Sequence, residues 1–319
     1  MDRNTIHEAA RIANVSVASV SRALNNKPGL GAETRARILS VCADLGYAPS
    51  VAARQLKEGR AATVGLSMGL HDWQVNPYVS IMFEHLTKHL YRRGLMPGLY
   101  HHNEMQQLTE DAASAILLGV EDDDARLRVL HEHKIPYVCI GRRHDGFWVC
   151  PDDHQGGALA AEHLIAQGSR QMATVEIDLP ERGTVMRGQA FHDQVQAHTG
   201  SKGSVVRIPD SATPVLTAYR TLIKAYAQSP FPFDGVFCET DEIACGVRAA
   251  LQDLGYQVPG DVRIVGYDDL PVFAEGLTTI RQDISAIAHA ATGLLTKAQQ
   301  GARPESITMG VSLIKRDST

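Results

Sequence analysis

Several features that would identify other classes of protein are missing from this 319-residue chain. No apolar run approaches the ~20 residues that a membrane-spanning helix needs. The first residues, MDRNTIHEAA, lack the apolar segment of a secretory signal. The five cysteines are odd in number and form no CxxC pair, and the histidines lack partners at ligand spacing. We therefore expect a cytoplasmic protein with no disulfide framework and no metal site.

Motifs for nucleotide cofactors and for catalysis are also missing. Neither GxGxxG nor GxxxxGK[ST] occurs in the body of the chain, so no cofactor is expected. The acid pairs Asp152-Asp153 and Asp241-Glu242 lie in sequences that begin helices, where carboxylates favour the helix dipole. No nucleophile elbow or Cys/His arrangement accompanies them. The sequence therefore argues against an enzyme.

Positive charge is scarce overall but concentrated at one end. The formal net charge is −5, yet residues 1–60 hold nine Lys/Arg against five Asp/Glu, which makes that segment +4 and leaves −9 on the remainder. A basic head on an acidic body indicates a chain that contacts phosphate at one end only.

The first 46 residues carry the pattern of three short helices. Thr5 precedes small apolar residues at helical spacing, and Asn14, which tolerates a left-handed backbone, can turn the chain after that helix. Ser16 can cap a second helix with Val17, Val20 and Leu24 inward. A third helix is predicted over 32–45, ending at Gly46, with inward residues Ile38, Leu39, Val41, Cys42 and Leu45. Two helices joined by a tight turn predict a helix-turn-helix unit.

The second helix, within NVSVASVSRALN, has no acidic residue. Val17 and Ala18 are small enough to lie on base edges in a DNA major groove, and Arg22 has the forked geometry that binds guanine O6 and N7. Ser16 and Ser21 can bond phosphates. An ordinary surface helix would instead carry Glu and Lys on its outer face, so the pattern favours DNA binding.

Beyond residue 60, apolar strand patterns alternate with amphipathic helix patterns, which predicts parallel sheets covered on both faces. The predicted strands are 63–68, 113–119, 137–141, 172–177, 204–208, 235–240 and 262–269. The predicted helices are 79–93, 124–133, 156–167, 188–198, 212–228, 242–254 and 284–300.

Two stretches resemble the lactose/galactose repressor (LacI/GalR) family of bacterial transcription regulators. TIHEAARIANVSVASVSRALN is similar to that family's headpiece, and YAPSVAARQLKEGRAATVGL to its hinge. Asn14 stands where Gly is usual and Gly31 where a Ser caps the third helix. The resemblance implies a headpiece over 1–46, a hinge over 47–60 and an effector-binding and dimerisation domain over 61–319. It places Thr5, Ser16, Val17, Ala18, Ser21, Arg22 and Asn25 at the DNA.

In that family the hinge becomes helical on operator DNA, pairs with its copy and inserts an apolar wedge into the minor groove. Leu56 matches the wedge and Ala53 the small residue beside it. A helix as short as residues 50–57 is not stable alone in water, and such a wedge bends the duplex. The alternative, a plain interdomain linker, would be expected to hold more Gly, Ser and Pro.

The resemblance also implies an α/β fold for the body: a two-lobed, periplasmic-binding-protein-like domain with a ligand between the lobes. The expected first lobe is 61–154 with 283–306, and the second is 155–282 with 307–319. Effector contacts carried over by motif are Trp73, Asp152, Arg187, Thr240 and Asp268. Ser169, Ala190 and Thr240 replace the usual His, Gly and Asn. Each acid could instead cap a helix, and Arg187 could be a surface charge.

The function expected from the whole sequence is a ligand-responsive DNA-binding repressor of sugar-utilisation genes. A homodimer would bind a palindromic operator with half-sites near GTAA around a central CG. The effector set suits a small polyol or glycoside, with a galactoside favoured, while a purine-like or acidic ligand stays open. A sugar-transport protein would share the body's fold, but it would need export and no basic headpiece.

Overall fold

The structure is a computed structural model, and it describes residues 5–24, 27–47, 62–69, 76–120, 123–179, 184–200 and 202–319. The predicted site residues Asn25, Ala53, Leu56 and Trp73, together with nearly all of the hinge, lie outside the described residues. Within the described part, no helix is long and apolar enough to cross a membrane.

The N-terminal segment folds as three helices, α1 (Ile6–Ile12), α2 (Val17–Leu24) and α3 (Ala32–Asp44). The predicted caps are confirmed: the Thr5 hydroxyl accepts a hydrogen bond from the Glu8 amide at 3.2 Å, and the Ser16 hydroxyl accepts one from the Ser19 amide at 3.2 Å. Asn14 has φ 51°, so it turns the chain between α1 and α2 in the left-handed conformation expected of it.

The headpiece core is built mainly from small side chains, which lets three short helices approach closely. Its buried members are Ala9, Ala10, Ala13, Val20, Ala23, Ile38 and Cys42. One inward prediction is wrong: Leu39 is exposed, because Ile38 and Cys42, four residues apart, form the buried stripe of α3.

The body alternates strand and helix as predicted. In chain order its elements are β1 (Thr63–Ser67), α4 (Pro77–Tyr91), β2 (Met96–Tyr100), α5 (Met105–Asp111), β3 (Ser114–Leu118), α6 (Ala125–Glu132), β4 (Tyr137–Ile140), β5 (Trp148–Pro151), α7 (Asp153–Ala166), β6 (Met172–Ile177), α8 (Val185–Thr199), β7 (Ser204–Ile208), α9 (Pro214–Tyr226), β8 (Gly235–Cys238), α10 (Asp241–Asp253), β9 (Arg263–Asp268), β10 (Thr278–Gln282), α11 (Ile284–Gln299), β11 (Ser306–Met309) and β12 (Val311–Ile314).

These strands form two six-stranded sheets. The first lobe has the order β11-β5-β4-β3-β1-β2 and the second β12-β10-β9-β8-β6-β7. Neighbouring strands in the described part of the chain run parallel except β10 and β12, which are antiparallel. Helix α11 packs into the apolar core of the first lobe. The chain therefore passes between the lobes after β5, after β10 and between β11 and β12, near the three crossings expected.

The last crossing differs from the expected position. All four residues of β11 pair with β5, from Ser306 beside Trp148 to Met309 beside Pro151. The expected division between residues 306 and 307 therefore falls inside a first-lobe strand, and the chain crosses at Gly310 instead. Four residues per strand are too few for the sequence pattern to show where pairing stops.

A buried arginine joins the cleft-side ends of the first sheet. Arg126, in α6, is 1 % exposed and forms an ion pair with Asp124 at 2.7 Å between Nη2 and Oδ2. Its guanidinium also donates to the carbonyl oxygens of Ser67 at 3.1 Å, Leu118 at 3.1 Å and Gly119 at 2.9 Å. One side chain thus fixes the ends of β1 and β3, from which the first lobe's cleft loops begin.

Candidate functional site

Helix α2 presents the surface that the sequence predicted for DNA. Ser16, Ala18 and Arg22 are exposed, Val17 and Ser21 are half-buried, and the face opposite packs through Val20 and Ala23. No acidic residue lies in its first turn. The helix therefore offers small side chains at its N-terminal end and one exposed cation in its last turn, the arrangement that fits a major groove.

Arg35, in α3, is a headpiece residue that the sequence interpretation missed. Its Nη1 donates to the Ala23 carbonyl at 3.3 Å and its Nη2 to the Lys27 carbonyl at 2.5 Å. Ala23 lies in the last turn of α2, where carbonyl groups lack partners within the helix, and Lys27 follows the helix three residues after its last residue. The guanidinium therefore fixes the C-terminal end of α2. A charged residue on an amphipathic helix looks like an ordinary surface residue in sequence, so periodicity gave no signal.

In the second lobe, two glycines bring α7 close to its neighbours. A Cβ at Gly157 would lie 2.0 Å from the Arg187 carbonyl oxygen, and one at Gly156 would lie 2.6 Å from the Tyr267 ring. Both distances are too short for any side chain. The Gly156-Gly157 pair therefore sets the position of α8 and of the Arg187 backbone against α7.

Arg187 is the centre of a buried polar cluster and not a surface charge. It is 6 % exposed; its Nε donates to Asp153 Oδ1 at 2.7 Å and its Nη1 to the Glu239 carbonyl at 2.8 Å. Its guanidinium carbon lies 3.5 Å from the centroid of the Tyr267 ring, a cation–π contact. Burial opposes the charge, but the carboxylates of Asp153 and Asp268 outweigh it and keep the Arg187 pKa above its ordinary value.

Asp268 ends β9 at a turn whose backbone conformation few residue types adopt. Asp268 and Asp269 have φ of 116° and 58°, positive values that Asp tolerates better than most residues. The Asp269 carboxylate accepts from Arg281 at 2.5 Å and from Arg316 at 2.6 Å, which holds the turn. Asp268 Oδ1 accepts from Gln282 Nε2 at 2.6 Å and lies 3.8 Å from Arg187 Nη1. Burial raises the Asp268 pKa well above its ordinary value, against the effect of Arg187.

Behind this turn lies Asp241, the first residue of α10, which is fully buried. Its Oδ2 accepts from the Leu270 amide at 2.8 Å and its Oδ1 from the Thr279 hydroxyl at 2.6 Å. Burial raises its pKa to about 6, although those hydrogen bonds favour the charged form. Asp241 therefore ties α10 to the Asp268 turn and to β10.

That raised pKa predicts a pH dependence of stability. Below about pH 4 the Asp241 carboxyl is protonated in both the folded and the unfolded chain. As the pH rises from about 4 to 6, the unfolded chain loses this proton first, so the free energy of unfolding falls by up to about 3 kcal/mol. We expect Asp241→Asn to make this slope shallower, with the remainder coming from Asp268, whose pKa is also raised. The check is the free energy of urea unfolding across that range, with the exposed helix cap Asp283→Asn as control. An unchanged slope in Asp241→Asn would contradict the assignment.

The remaining predicted effector residues serve as helix caps. Asp152 Oδ1 accepts from the Gln155 amide at 2.9 Å at the start of α7, and the Thr240 hydroxyl accepts from the Ile243 amide at 3.3 Å at the start of α10. Both lie at strand ends that face the cleft, so their contact with an effector stays a prediction. The structure brings Arg187 and Asp268 together, as predicted.

Three residues of the cluster were missed by the sequence interpretation: Asp153, Tyr267 and Gln282. Tyr78 is a further member, from the segment that follows the first strand of the first lobe. Asp153 is the partner of Arg187, whereas its neighbour Asp152 caps the helix. The Tyr267 hydroxyl donates to Asp153 Oδ1 at 2.9 Å. Tyr78, at the start of α4, comes from the first lobe; its pKa is raised by burial and then by the charge of Asp268. The second of two adjacent acids and a tyrosine in a strand gave no periodic signal to separate them from structural residues.

Family models agree with both parts of the molecule. Residues 5–50 match the model for bacterial regulatory proteins of the lacI family, and residues 161–319 match the periplasmic binding protein-like domain. The first match covers the helix-turn-helix headpiece, and the second covers most of the second lobe with Arg187, Tyr267, Asp268 and Gln282 of the cluster.

Curated relatives and solved structures match the chain over almost its full length. The HTH-type transcriptional repressor PurR of Erwinia tasmaniensis is 30 % identical, covering 98 % of this chain and 96 % of that protein. The HTH-type transcriptional regulator GalR of Escherichia coli K12 is 29 % identical over 98 % and 95 %. The structure of a transcriptional regulator CelR–cellobiose complex has the same fold, with TM-score 0.72, 24 % identity and 99 % of each chain covered.

These relatives are transcriptional regulators and not enzymes. With a lacI-family headpiece, an effector-type body and a relative at 30 % identity over nearly all of its length, the chain belongs to the LacI family of ligand-responsive, DNA-binding transcriptional regulators.

Proposed function

We propose that this regulator is a homodimeric repressor that binds a palindromic operator and responds to a sugar-like effector held between its lobes. The observation that carries the proposal is the presence of two separate candidate binding sites in one chain. One is an exposed, acid-free helix with a single arginine. The other is a buried cluster of polar groups contributed by both lobes.

The surface of the body supports a homodimer. Strands β2 and β7 are the edges of the two sheets away from the crossings at β11 and β12. Exposed large apolar residues lie on these edge strands and on helices of the same lobes: Met96 and Leu99 in β2, Val205 in β7, Tyr91 in α4 and Leu216 in α9. A groove of about 520 Å³ opens between α9 and α10, with Pro214, Leu216 and Gly246 in its walls. Such surfaces on one molecule favour a two-fold interface.

The cluster supports an effector at the cleft. Ligands of parallel α/β sheets bind outside the carboxyl ends of the strands, and Asp268 and Gln282 stand at two of those ends. A ligand in the cleft can change DNA binding only if it binds one arrangement of the lobes more tightly than the other. A sugar is the effector class that the CelR–cellobiose structure makes most relevant to this chain.

Two experiments test this function. Selection of binding sites from random duplex DNA is expected to yield a palindrome with GTAA half-sites around a central CG, bound by a dimer. Recovery of only non-palindromic sites would reject the proposal.

The second experiment is a thermal-shift screen of sugars and glycosides, including D-galactose, D-ribose and cellobiose. At least one of these compounds is expected to raise the Tm of the protein. That compound should change operator affinity of the full-length protein; a binder without that effect would reject the repressor mechanism.

A further inference from the structure

A group of basic side chains lies on the surface of the first lobe, where helices α4 and α11 pack side by side. The rings of His89 and His289, one from each helix, meet edge to face with their centroids 5.0 Å apart. Arg93, just after α4, donates from Nη1 to the Thr296 hydroxyl of α11 at 3.1 Å. We call this surface the α4–α11 patch, and its members are His85, His89, Arg92, Arg93 and His289.

The members of the α4–α11 patch repel one another. The pKa of His89 is lowered by burial and then by the charges of the four other members, so the charged groups that act on it within the described chain are all positive. The neighbouring acid, Glu84, is paired with Lys88. This concentration of basic groups stands on a body that carries −9 outside residues 1–60. A bound anion would relieve the repulsion.

The dipole of α4 explains only part of this arrangement. Cations are favoured at the C-terminal end of a helix, which accounts for Arg92 and Arg93. His289, however, lies in the first half of α11, where the dipole gives a positive charge no such support. Arg92, Arg93 and His289 are also exposed, so an external anion can reach them.

The α4–α11 patch reaches the end of the first lobe at which the chain enters the body. There the N-terminal ends of β1 and β2 lie side by side, with Thr63 beside Met96, and the Met96 amide bonds the Ala62 carbonyl at 3.0 Å. Arg93 precedes Met96 by three residues, so their Cα atoms are at most about 11 Å apart. The cleft lies at the opposite, carboxyl ends of the strands. The arginine end of the patch is therefore directed toward the hinge segment and away from the effector.

Covalent reach brings DNA to this end of the molecule. In the operator complex proposed above, residues 50–57 contact the duplex. Only residues 58–61 join Lys57 to Ala62, and even a fully extended chain spans no more than about 18 Å over those five steps. The duplex is thus tethered close to the arginines, and its phosphates are the anions present there at high local concentration.

We propose, as an inference that rests on the operator binding above, that the α4–α11 patch binds the phosphate backbone of the duplex that the headpiece and hinge hold. Each copy of the chain then contacts DNA through its first lobe as well as through its headpiece. Arg92 and Arg93 supply the permanent charge of this contact. Because phosphate contacts position a protein without reading sequence, the patch adds affinity and no sequence preference.

Removal of two charges from the α4–α11 patch tests this contact in the full-length protein. We expect Arg92→Gln with Arg93→Gln to reduce the slope of log affinity against log salt by about 2, and affinity at about 0.1 M salt by about 5- to 50-fold, since each phosphate contact contributes about 0.9 to that slope. The measurement is fluorescence anisotropy of the selected operator between about 0.05 and 0.3 M salt. Duplexes with altered half-sites should lose affinity equally.

A matched control removes two exposed arginines of the second lobe, in Arg170→Gln with Arg220→Gln. The net charge changes by the same amount, and the salt slope should stay as in the parent protein. An unchanged slope in the patch variant overturns the proposal. An equal loss of slope in the control overturns it as well, because the effect would then come from net charge and not from contact.

Arg93→Lys separates charge from a structural role of the Thr296 bond. Lysine keeps the positive charge, so the salt slope should be retained; a loss as large as that of Arg93→Gln would show that Arg93 acts through the fold, against the proposal. The outcomes are separable from the proposed function. A chain that selects a palindrome with an unchanged slope loses only this inference. A chain that selects no palindrome, but whose patch variant has a smaller slope on random duplex DNA, loses only the repressor function.

Discussion

Arg22→Ala is expected to lower affinity for the selected operator by about 10- to 100-fold, the range of one bidentate arginine–guanine contact. Arg22 is exposed in the last turn of α2, with its helix end held by Arg35. The measurement is fluorescence anisotropy of labelled duplexes, with each guanine of the half-site replaced in turn. Arg22→Ala should erase the preference at one position while other positions keep theirs.

Arg11→Ala is the control for charge alone. Arg11 is an exposed cation of the same headpiece that pairs with Glu8 at 2.7 Å, so its removal changes the net charge equally without touching α2. Loss of a phosphate contact would weaken binding to all DNA sequences alike. If Arg22→Ala reduces binding uniformly, as loss of a phosphate contact would, the assignment of Arg22 to a base is wrong.

Arg126→Leu is expected to destabilise the body by about 3–5 kcal/mol, because it leaves Asp124 buried without its cation. The carbonyl oxygens of Ser67, Leu118 and Gly119 would lose their donor as well. The measurement is the free energy of urea unfolding. Arg128→Leu, an exposed arginine two residues along the same helix, should change it by no more than about 0.5 kcal/mol.

A second variant separates the ion pair from general damage to the helix. In Asp124→Asn with Arg126→Leu, the carboxylate that Arg126 neutralised is gone as well, so part of the lost stability should return. Losses that simply add in the double variant would show that the two side chains act independently, contrary to their 2.7 Å contact.

Elements with a long, regular pattern were predictable from sequence. The strand MATVEI and the strand SVVRI have the observed bounds, and each of the seven predicted body helices is found within three residues of its expected start. The missed elements are short or contrary to propensity: β2 reads MPGLY, with Pro97 and Gly98 in a strand, β10 has five residues, β5, β11 and β12 have four each, and helix α5 has seven. These strands form through pairing with a neighbour, which no local pattern encodes.

The residues of the site were predictable only in part, and from family motifs, not from a periodic pattern. Arg187 and Asp268 were found because family motifs carry them, and the structure brings them within 3.8 Å. The motif could not show that Asp153, and not Asp152, bonds Arg187, since both follow the same strand and the difference is one of side-chain direction. Nor could it show that Gln282 and Tyr78 meet residues far from them in sequence. Such contacts depend on how the lobes fold together.

Helix α4 connects two distant parts of the molecule as a single rigid rod. Its first turn holds Tyr78, whose pKa is raised in part by Asp268 of the second lobe, and its 15 residues extend about 22 Å to the loop before β2. There the Met96 amide bonds the Ala62 carbonyl at 3.0 Å, just where the chain emerges from the hinge segment. A helix transmits axial displacement with little compression, so any shift that a bound molecule imposes on the tyrosine must reappear at the hinge exit or bend the rod.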